Sequence, residues 1–415
     1  MNPAWENRQR IPLINGGPLE NRMSEKDVIP WLVLNRFGVE NLRGWTLLWK
    51  KFGSAERIFD SDWDEFKSAG LTRSSFQKMK KLLPVYRQEA EREVELSTAA
   101  SVSIITPQDE RYPALLKYIY DPPFVLYCKG HPEVLAGRKT VAIVGSRMAS
   151  IYGRNAARKI GRDLADQGIL VVSGGAAGID TEAHLGALEA GMSAAVLGSG
   201  IDVVYPKENA GLFGRIAENG VVVSEFPFGT PPDRYNFPRR NRLISGLSYG
   251  VVVVEAAKRS GSLITANFAM EQGRDVFAVP GEIGAHFSEG TNNLIKQGGK
   301  LVEGALDILE ALVFEKLRPA DSPPFDPASP EPVSPEPASP AQEKKKKQSE
   351  DQAGDLTELE KAVLSVLDAG LKPVDFILEK MTEAGYPVKD VESGLLTLEL
   401  KGLVRQAIGK RFERT

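Results

Sequence analysis

The sequence predicts an α/β protein built on an extended Rossmann-like, mostly parallel sheet with helices on both faces. Short apolar segments rich in β-branched residues recur between residues 101 and 316, and amphipathic stretches separate them. Nearly continuous apolar strands that alternate with helices are typical of parallel sheets buried on both sides. Helical periodicity before this region, and three helices followed by a hairpin after it, predict a small all-α N-terminal domain and a C-terminal winged helix.

The strands and helices of the sheet domain are predicted from these runs. The predicted strands are Ser103–Thr106, Phe124–Tyr127, Thr140–Gly145, Ile169–Ser173, Ser193–Leu197, Val221–Ser224, Gly250–Val254 and Asp275–Val279. Residues 151–167 illustrate the helices, because Ala156, Ile160 and Leu164 recur at helical spacing and Gly168 stops the pattern.

Changes in composition divide the chain into segments. At 415 residues the chain is too long for one ordinary core. Repeated Ser-Pro and Glu-Pro units, followed by Lys344–Lys347, bury too little apolar surface to fold and predict a disordered linker. The predicted segments are a flexible leader (1–24), a helical domain (25–100), the Rossmann-like domain (101–316), the linker (317–354) and the winged helix (355–415).

The elements predicted in the two flanking domains are short. In the N-terminal domain, breaks between helices are predicted at Gly38, Gly44, Gly53 and Gly70. In the C-terminal domain the prediction is three helices and two strands: Leu356–Leu367, Pro373–Ala384, Val388–Lys401, Gly402–Arg405 and Arg411–Arg414.

Composition argues against several classes of protein. No apolar run approaches the roughly 18–20 residues that cross a bilayer, and the N-terminus has no apolar signal-peptide core. The single cysteine, Cys128, rules out an intramolecular disulfide and a cysteine zinc cluster. We therefore expect a cytoplasmic protein with no membrane partner. The net charge of −3 does not suggest nucleic acid, but residues 234–242 form a local basic patch that a phosphate backbone would sense.

Loops of small residues follow two of the predicted strands. They read Gly145-Ser146-Arg147 and Ser173-Gly174-Gly175, and each leads into a helix. Such loops present backbone N–H groups to an anion, and Arg147 adds a guanidinium suited to phosphate. Taken alone, the first loop is equally well explained as an ordinary turn with a solvated arginine. Two such loops at one sheet edge favour a phosphate-binding crevice.

A third element concentrates cations and amides around an aromatic ring. Its candidate DNA-binding residues are Phe237, Arg239, Arg240, Asn241 and Arg242. Arginine binds phosphates, and unpaired bases stack on rings. Packing of Phe237 into the core is an equal alternative. Later loops add Lys207 as a cation and the hydroxyls of Ser260, Ser262 and Thr265, although helix capping is the favoured explanation for Ser262 and Thr265 taken individually.

The sequence contains little that predicts chemistry. The histidines His131, His184 and His286 show no metal-binding spacing, and His184 is best explained as a packed helix residue. The P-loop consensus and the dinucleotide glycine pattern are both missing. We therefore predict no catalytic residue, no metal and no cofactor.

The ordered set of motifs resembles the bacterial DNA-processing protein A family, also called DprA or Smf. In order, the main motifs are Thr106-Pro107-Gln108-Asp109, Asp121-Pro122-Pro123, Val144-Gly145-Ser146-Arg147, Gly178-Ile179-Asp180, Tyr205-Pro206, Phe237-Pro238-Arg239-Arg240-Asn241-Arg242, Ser260-Gly261-Ser262-Leu263 and Gly290-Thr291-Asn292-Asn293. The N-terminal segment resembles the family's SAM-like or helix-hairpin-helix domain, with a degenerate Phe37-Gly38-Val39 hairpin. The C-terminal segment resembles its winged helix.

This resemblance implies a protein that binds and protects incoming single-stranded DNA, dimerises through the Rossmann-like domain and loads the RecA recombinase during natural transformation. It places the family's DNA pocket on Gly145, Ser146, Arg147, Ser173, Gly174, Lys207, Phe237, Arg239, Arg240 and Ser262. Many members carry arginine where this chain has Ala177, so that loop contributes less positive charge here.

Two other functions compete with this interpretation. A Rossmann-like nucleotide phosphoribohydrolase would carry a P-G-G-x-G-T signature, whereas this chain has Pro280-Gly281-Glu282. A winged-helix regulator would read duplex DNA with its third helix. That predicted helix has Lys389 and Lys401 as its only cations, set against several carboxylates, which makes a poor reader of the major groove.

Overall fold

A computed structural model describes residues 25–69, 71–312 and, with gaps, 358–414. The described residues belong to two compact units, divided at residue 325. The predicted leader (1–24) and linker (317–354) lie outside the described residues.

The first unit begins with a helical region. Its helices are α1 (Glu25–Phe52), α2 (Ala55–Asp60), α3 (Trp63–Lys67) and α4 (Arg73–Ala99). The breaks predicted at Gly38 and Gly44 are wrong, because α1 runs through both glycines. A glycine costs a helix about 1 kcal/mol, and the burial of Trp31, Leu34 and other apolar residues along α1 outweighs that cost. Gly53 does end α1, with a left-handed φ of 69°, and Gly70 lies outside the described residues.

The sheet that follows has nine strands. They are β1 (Val102–Ile105), β2 (Leu126–Gly130), β3 (Thr140–Val144), β4 (Leu170–Ser173), β5 (Ser193–Val196), β6 (Val221–Ser224), β7 (Gly250–Val253), β8 (Asp275–Ala278) and β9 (Lys300–Leu301). Each predicted strand is confirmed to within two or three residues at its ends. The short edge strand β9 was not predicted, because two exposed residues carry no alternating pattern.

The strand order is β1-β2-β6-β5-β4-β3-β7-β8-β9. All neighbours from β6 to β9 are parallel, while β2 pairs antiparallel with both β1 and β6. From β3 the chain moves to β4 on one side, and from β7 it moves to β8 on the other. The loops after β3 and β7 therefore diverge and leave a crevice, which is where open α/β sheets bind ligands.

Helices cover both faces of the sheet, as predicted. They are α5 (Glu133–Gly137), α6 (Ile151–Asp166), α7 (Ile179–Ala190), α8 (Ala210–Asn219), α9 (Asn236–Gly246), α10 (Gly261–Glu271), α11 (Glu289–Lys296) and α12 (Ala305–Ala311). Alternate residues of the central strands enter separate cores. Val141 packs with Leu164 of α6 and Ala183 of α7, whereas Ala142 packs with Leu243 of α9 and others.

The helical region and the sheet share one hydrophobic core. Trp31 of α1 lies 6.5 Å from Phe124, ring centroid to ring centroid, in a cluster that continues to β5, β6 and α8. Polar contacts join the same two parts. The buried carboxylate of Glu93 accepts hydrogen bonds from the Tyr127 hydroxyl (2.9 Å), the Phe228 N–H (3.1 Å) and the Arg36 guanidinium (3.0 Å).

The second unit is described in part. It contains α13 (Glu358–Leu367), β10 (Lys372–Pro373), α14 (Val374–Glu383), β11 (Val404–Ala407) and β12 (Arg411–Arg414), and its strands form an antiparallel sheet in the order β10-β12-β11. Two helices and a hairpin agree with the predicted winged helix, whose third helix falls mostly outside the described residues. Within the described part of the chain, every helix is too short or too polar to span a bilayer.

Candidate nucleic-acid interface

A cleft of about 700 Å³ opens at the carboxyl edge of the sheet, where the loops after β3 and β7 diverge. It brings together most of the residues that sequence analysis proposed. Those that line it are Gly145, Ser146, Arg147, Phe237, Arg240, Asn241, Ser260, Ser262 and Thr265. The crevice predicted from two glycine-rich loops is therefore present, with α9 and α10 forming its other walls.

The loop after β3 is held rigidly by a buried carboxylate. Glu255, which follows β7, accepts hydrogen bonds from the N–H of Ser150 (2.9 Å) and from its hydroxyl (2.5 Å). The Ser150 hydroxyl in turn accepts a bond from the Gly153 N–H and caps α6 (3.0 Å). This anchoring fixes the backbone that carries Ser146 and Arg147. The Arg147 side chain itself is exposed and lines the cleft.

The loop after β4 supports the cleft from below. Ser173 donates to the carbonyl of Ile143 on β3 (2.6 Å) and is fully buried. Gly174 is buried, and a Cβ there would come within 2.7 Å of both the Arg240 guanidinium and the Asp180 carboxylate, so the position requires glycine. Ser173, Gly174 and Gly175 do not line the cleft, so the structure gives them a supporting position.

The Arg240 side chain contacts the loop after β4 and also lines the cleft. Its guanidinium donates to the carbonyls of Gly174 (2.6 Å) and Val196, and its side chain is almost entirely buried. The pKa of Arg240 is lowered to about 10, chiefly by burial, with Asp180 opposing the shift and the nearby Arg147 contributing to it. The pKa of the Asp180 carboxyl is raised, mainly by burial and against the pull of Arg240. At neutral pH the arginine still carries its charge.

The arginines of α9 divide between two faces of the helix. Phe237, then Arg240 and Asn241, then Ile244 lie three or four residues apart from one helical turn to the next, and all line the cleft. The other arginines point toward Glu225 at the end of β6. Arg242 forms a buried ion pair with Glu225 and lies 3.4 Å from the Asp121 carboxylate, and Arg239 lies 3.5 Å from Glu225.

The structure therefore does not place Arg239 and Arg242 in the cleft. Their carboxylate partners occupy them in this structure, and the Arg242 side chain is only 2% exposed. Lys207 is exposed but also lies outside the cleft lining. The helical periodicity of α9 is the signal that would have separated Arg239 and Arg242 from Arg240.

The start of α10 supplies hydroxyl groups to the cleft. Ser260 caps the helix by accepting a bond from the Ser262 N–H (3.3 Å), and the two hydroxyls lie 2.8 Å apart. The side chain of Asn241 donates to the Gly261 carbonyl (3.3 Å) and ties α9 to α10. Capping and ligand binding are compatible here, because Ser260 and Ser262 also line the cleft.

Sequence analysis missed several residues that line the cleft. Tyr205 follows β5 and His286 comes from the loop after β8, while Arg234, which precedes α9, belongs to the predicted basic patch but was not proposed as a site residue. Phe237 is half-buried, with its ring centroid 5.5 Å from that of Tyr205 and 5.3 Å from the Cζ of Arg147. Among the described residues, no group of histidines, cysteines or carboxylates is arranged to hold a metal ion.

Comparison with known proteins agrees with this architecture. Residues 103–313, which contain all but the first residue of the sheet and every loop of the cleft, match the family model for DNA recombination-mediator protein A. The chain belongs to this family. The resemblance found from the sequence motifs is thereby confirmed.

Individual relatives extend the match beyond the sheet. Protein Smf of Escherichia coli (strain K12) is 42% identical over 308 residues, which are 74% of this chain and 76% of that protein. The DNA processing protein DprA of Streptococcus pneumoniae is 46% identical over 207 residues, 50% of this chain and 73% of that protein. The crystal structure of DprA from the same species superposes with a TM-score of 0.57 at 33% identity, covering 70% of this chain and 99% of that one.

Proposed function

We propose that this protein binds single-stranded DNA in the cleft at the carboxyl edge of its sheet. The observation that carries the proposal is that Arg147, Arg234 and Arg240 line one cleft together with the hydroxyls at the start of α10. Guanidinium groups and helix N-termini bind phosphate oxygens. Because the chain belongs to a family of DNA recombination mediators, we infer that the phosphates bound here are those of a DNA backbone.

Aromatic rings in the same cleft favour unpaired bases. Tyr205 and Phe237 both line it, and stacking on aromatic side chains is how proteins hold single strands without reading sequence. A duplex keeps its bases stacked on one another and offers only its backbone. Selectivity for single strands is therefore expected from rings and arginines that act together.

We further propose that the cleft binds DNA without chemistry. Asp180, the carboxylate in its lining, accepts a hydrogen bond from the Ala176 N–H (3.2 Å) and faces Arg240. A carboxylate held in this way is poorly placed to act as a general base or nucleophile. The rival phosphoribohydrolase reading gains no support from this arrangement.

The wider role rests on the family alone. We propose that the protein acts in DNA processing in the cytoplasm, where it protects incoming single strands and loads a RecA-type recombinase on them. We also propose that it works as a homodimer through the Rossmann-like domain. Light scattering would test the dimer. RecA filament formation on strands already covered by single-strand-binding protein would test the loading.

Binding of a labelled oligo-dT, measured by fluorescence anisotropy against a matched duplex over a range of salt concentrations, tests the central proposal. Neutralising about four phosphates gives a log–log salt slope near −3, from roughly −0.7 per contact. Equal affinity for duplex, or a flat salt response, would count against a single-strand site. Release of a free base from a nucleoside monophosphate would favour the hydrolase instead.

A further inference from the structure

We propose that Tyr205 is the residue that selects single strands, by stacking on an unpaired base in the cleft. The inference rests on the proposed DNA-binding function and adds a residue to it. Three features of the cleft support the assignment: the crowding of Phe237, the exposure of Tyr205 and the rigidity of the loop that carries it.

Phe237 has little free surface for a base. The Cζ atoms of Arg147 and Arg240 lie 5.3 Å and 6.0 Å from its ring centroid. Its edge rests on the backbone of Gly198, where an added Cβ would approach the ring to 2.7 Å. A half-buried ring in contact with two guanidinium groups positions those cations and supports its neighbour.

Tyr205 is that neighbour, and it is open to the cleft. Its side chain is 42% exposed, and its ring centroid lies 5.5 Å from that of Phe237 with a tilt of 38° between the rings. Phe237 therefore backs the Tyr205 ring from one side. A base that stacks on the remaining surface would have its phosphates within reach of the cleft arginines.

Hydrogen bonds hold the backbone of the loop that carries Tyr205. The Ser199 hydroxyl donates to the Val203 carbonyl (2.8 Å), and the Ser224 hydroxyl donates to the Ser199 carbonyl (2.6 Å). Just beyond the tyrosine, Asn209 donates to the carbonyl of Gly175 (2.9 Å). Because the backbone is held on both sides, stacking on Tyr205 requires little further ordering of the protein.

Other exposed tyrosines near this edge are less suitable. The ring of Tyr235 is covered by the Arg234 guanidinium, whose Cζ lies 4.8 Å from the ring centroid. The hydroxyl of Tyr152 donates to the Pro280 carbonyl (3.0 Å). Neither ring lines the cleft. A base in a duplex reaches Tyr205 only after it leaves its stack and its partner, at a cost of a few kcal/mol.

The test compares the full-length protein with Tyr205→Ala and Tyr205→Phe on two probes, an oligo-dT and an abasic oligodeoxynucleotide of the same length. Loss of a stacked base should weaken oligo-dT binding by Tyr205→Ala roughly 5- to 100-fold. Binding of the abasic probe should not change, and Tyr205→Phe should bind both probes as the wild type does. Tyr118→Ala is the matched control, because that ring is 49% exposed but does not line the cleft.

The outcomes separate this inference from the function on which it rests. If Tyr205→Ala weakens both probes equally, or neither, the stacking role is overturned while single-strand binding stands. If Tyr205→Phe loses as much as Tyr205→Ala on oligo-dT, the hydroxyl and not the ring is responsible, and stacking is again overturned. If the wild type does not prefer oligo-dT to duplex, the proposed function itself fails.

Discussion

The guanidinium of Arg240 donates a hydrogen bond of 2.6 Å to the backbone carbonyl of Gly174. This bond ties α9 to the loop after β4, and the same side chain lines the cleft. Arg147, which lines the same cleft, is exposed, and its guanidinium lies over the Phe237 ring. The two arginines therefore offer a way to separate the stability of the fold from the affinity for DNA.

Arg240→Ala should destabilise the protein strongly. The substitution removes two hydrogen bonds to buried carbonyls and leaves the buried Asp180 carboxylate without its cation. Leaving a buried polar group without its hydrogen-bond partner typically costs about 1–3 kcal/mol of unfolding free energy. Calorimetry should show a clear fall in the melting temperature. An unchanged melting temperature would contradict a stabilising role for the hydrogen bonds of Arg240.

Arg147→Ala should weaken DNA binding and leave stability unchanged. It removes one exposed phosphate partner, so the log–log salt slope on oligo-dT should become shallower by about 0.7. Arg162→Ala is the matched control, because Arg162 is also exposed but lies near the opposite end of α6. A slope equal to that of the wild type would remove Arg147 from the set of phosphate contacts.

Arg242→Ala should behave in the opposite way. It leaves the Glu225 carboxylate buried beside Arg239 alone, so the melting temperature should fall. Well below that temperature, we expect the salt slope on oligo-dT to match the wild type, because Arg242 does not line the cleft. A shallower slope for the folded variant would place Arg242 among the phosphate contacts after all.

Stability should fall with acid because of His184. Burial lowers the pKa of its imidazole from 6.5 to about 3, and Arg240 adds to the shift, so the folded state holds it neutral. The unfolded chain takes up a proton below pH 6.5, and the stability that the neutral imidazole contributes is lost as the pH falls from there toward 3. At about pH 5 the loss is on the order of 2 kcal/mol.

His184→Asn tests this dependence. The Nδ1 atom of His184 lies 2.7 Å from the Ser193 hydroxyl, and asparagine can replace that contact without a titrating group. The difference between melting temperatures at neutral and mildly acidic pH should shrink in the variant. A difference as large as that of the wild type would show that another group causes the acid sensitivity.

The sequence was sufficient for the sheet and for the location of the cleft. Buried parallel strands are recognisable as short apolar runs. The loops that follow such strands lie at one edge of the sheet, so the loops at Gly145 and Gly174 could be placed together. Composition could not predict which arginine side chains line the cleft, because Arg239, Arg240 and Arg242 differ only in the direction in which they leave α9. A partner such as Glu225 follows a different element, β6, and its contact with these arginines becomes visible only in three dimensions.

Glycine also misled the prediction in the helical region. Gly38 and Gly44 are ordinary reasons to end a helix, yet α1 continues through both. Local preference was outweighed by burial against the sheet, and a pattern within α1 cannot reveal a surface that other segments supply. Tyr205 was not predicted as a binding residue for a related reason, since its proposed stacking role depends on the Phe237 ring packed beside it.

The core shared by α1, α4 and the sheet has a consequence for dissection of the protein. Removing residues 25–100 would uncover Phe124 and Tyr127, which are fully buried, and would leave the Phe228 N–H without the Glu93 carboxylate. The boundary near residue 100 is therefore a change of secondary structure, and the hydrophobic core continues across it. A fragment that starts there would expose an apolar face prone to aggregation. Because they share one core, the helical region and the sheet should unfold in a single cooperative transition.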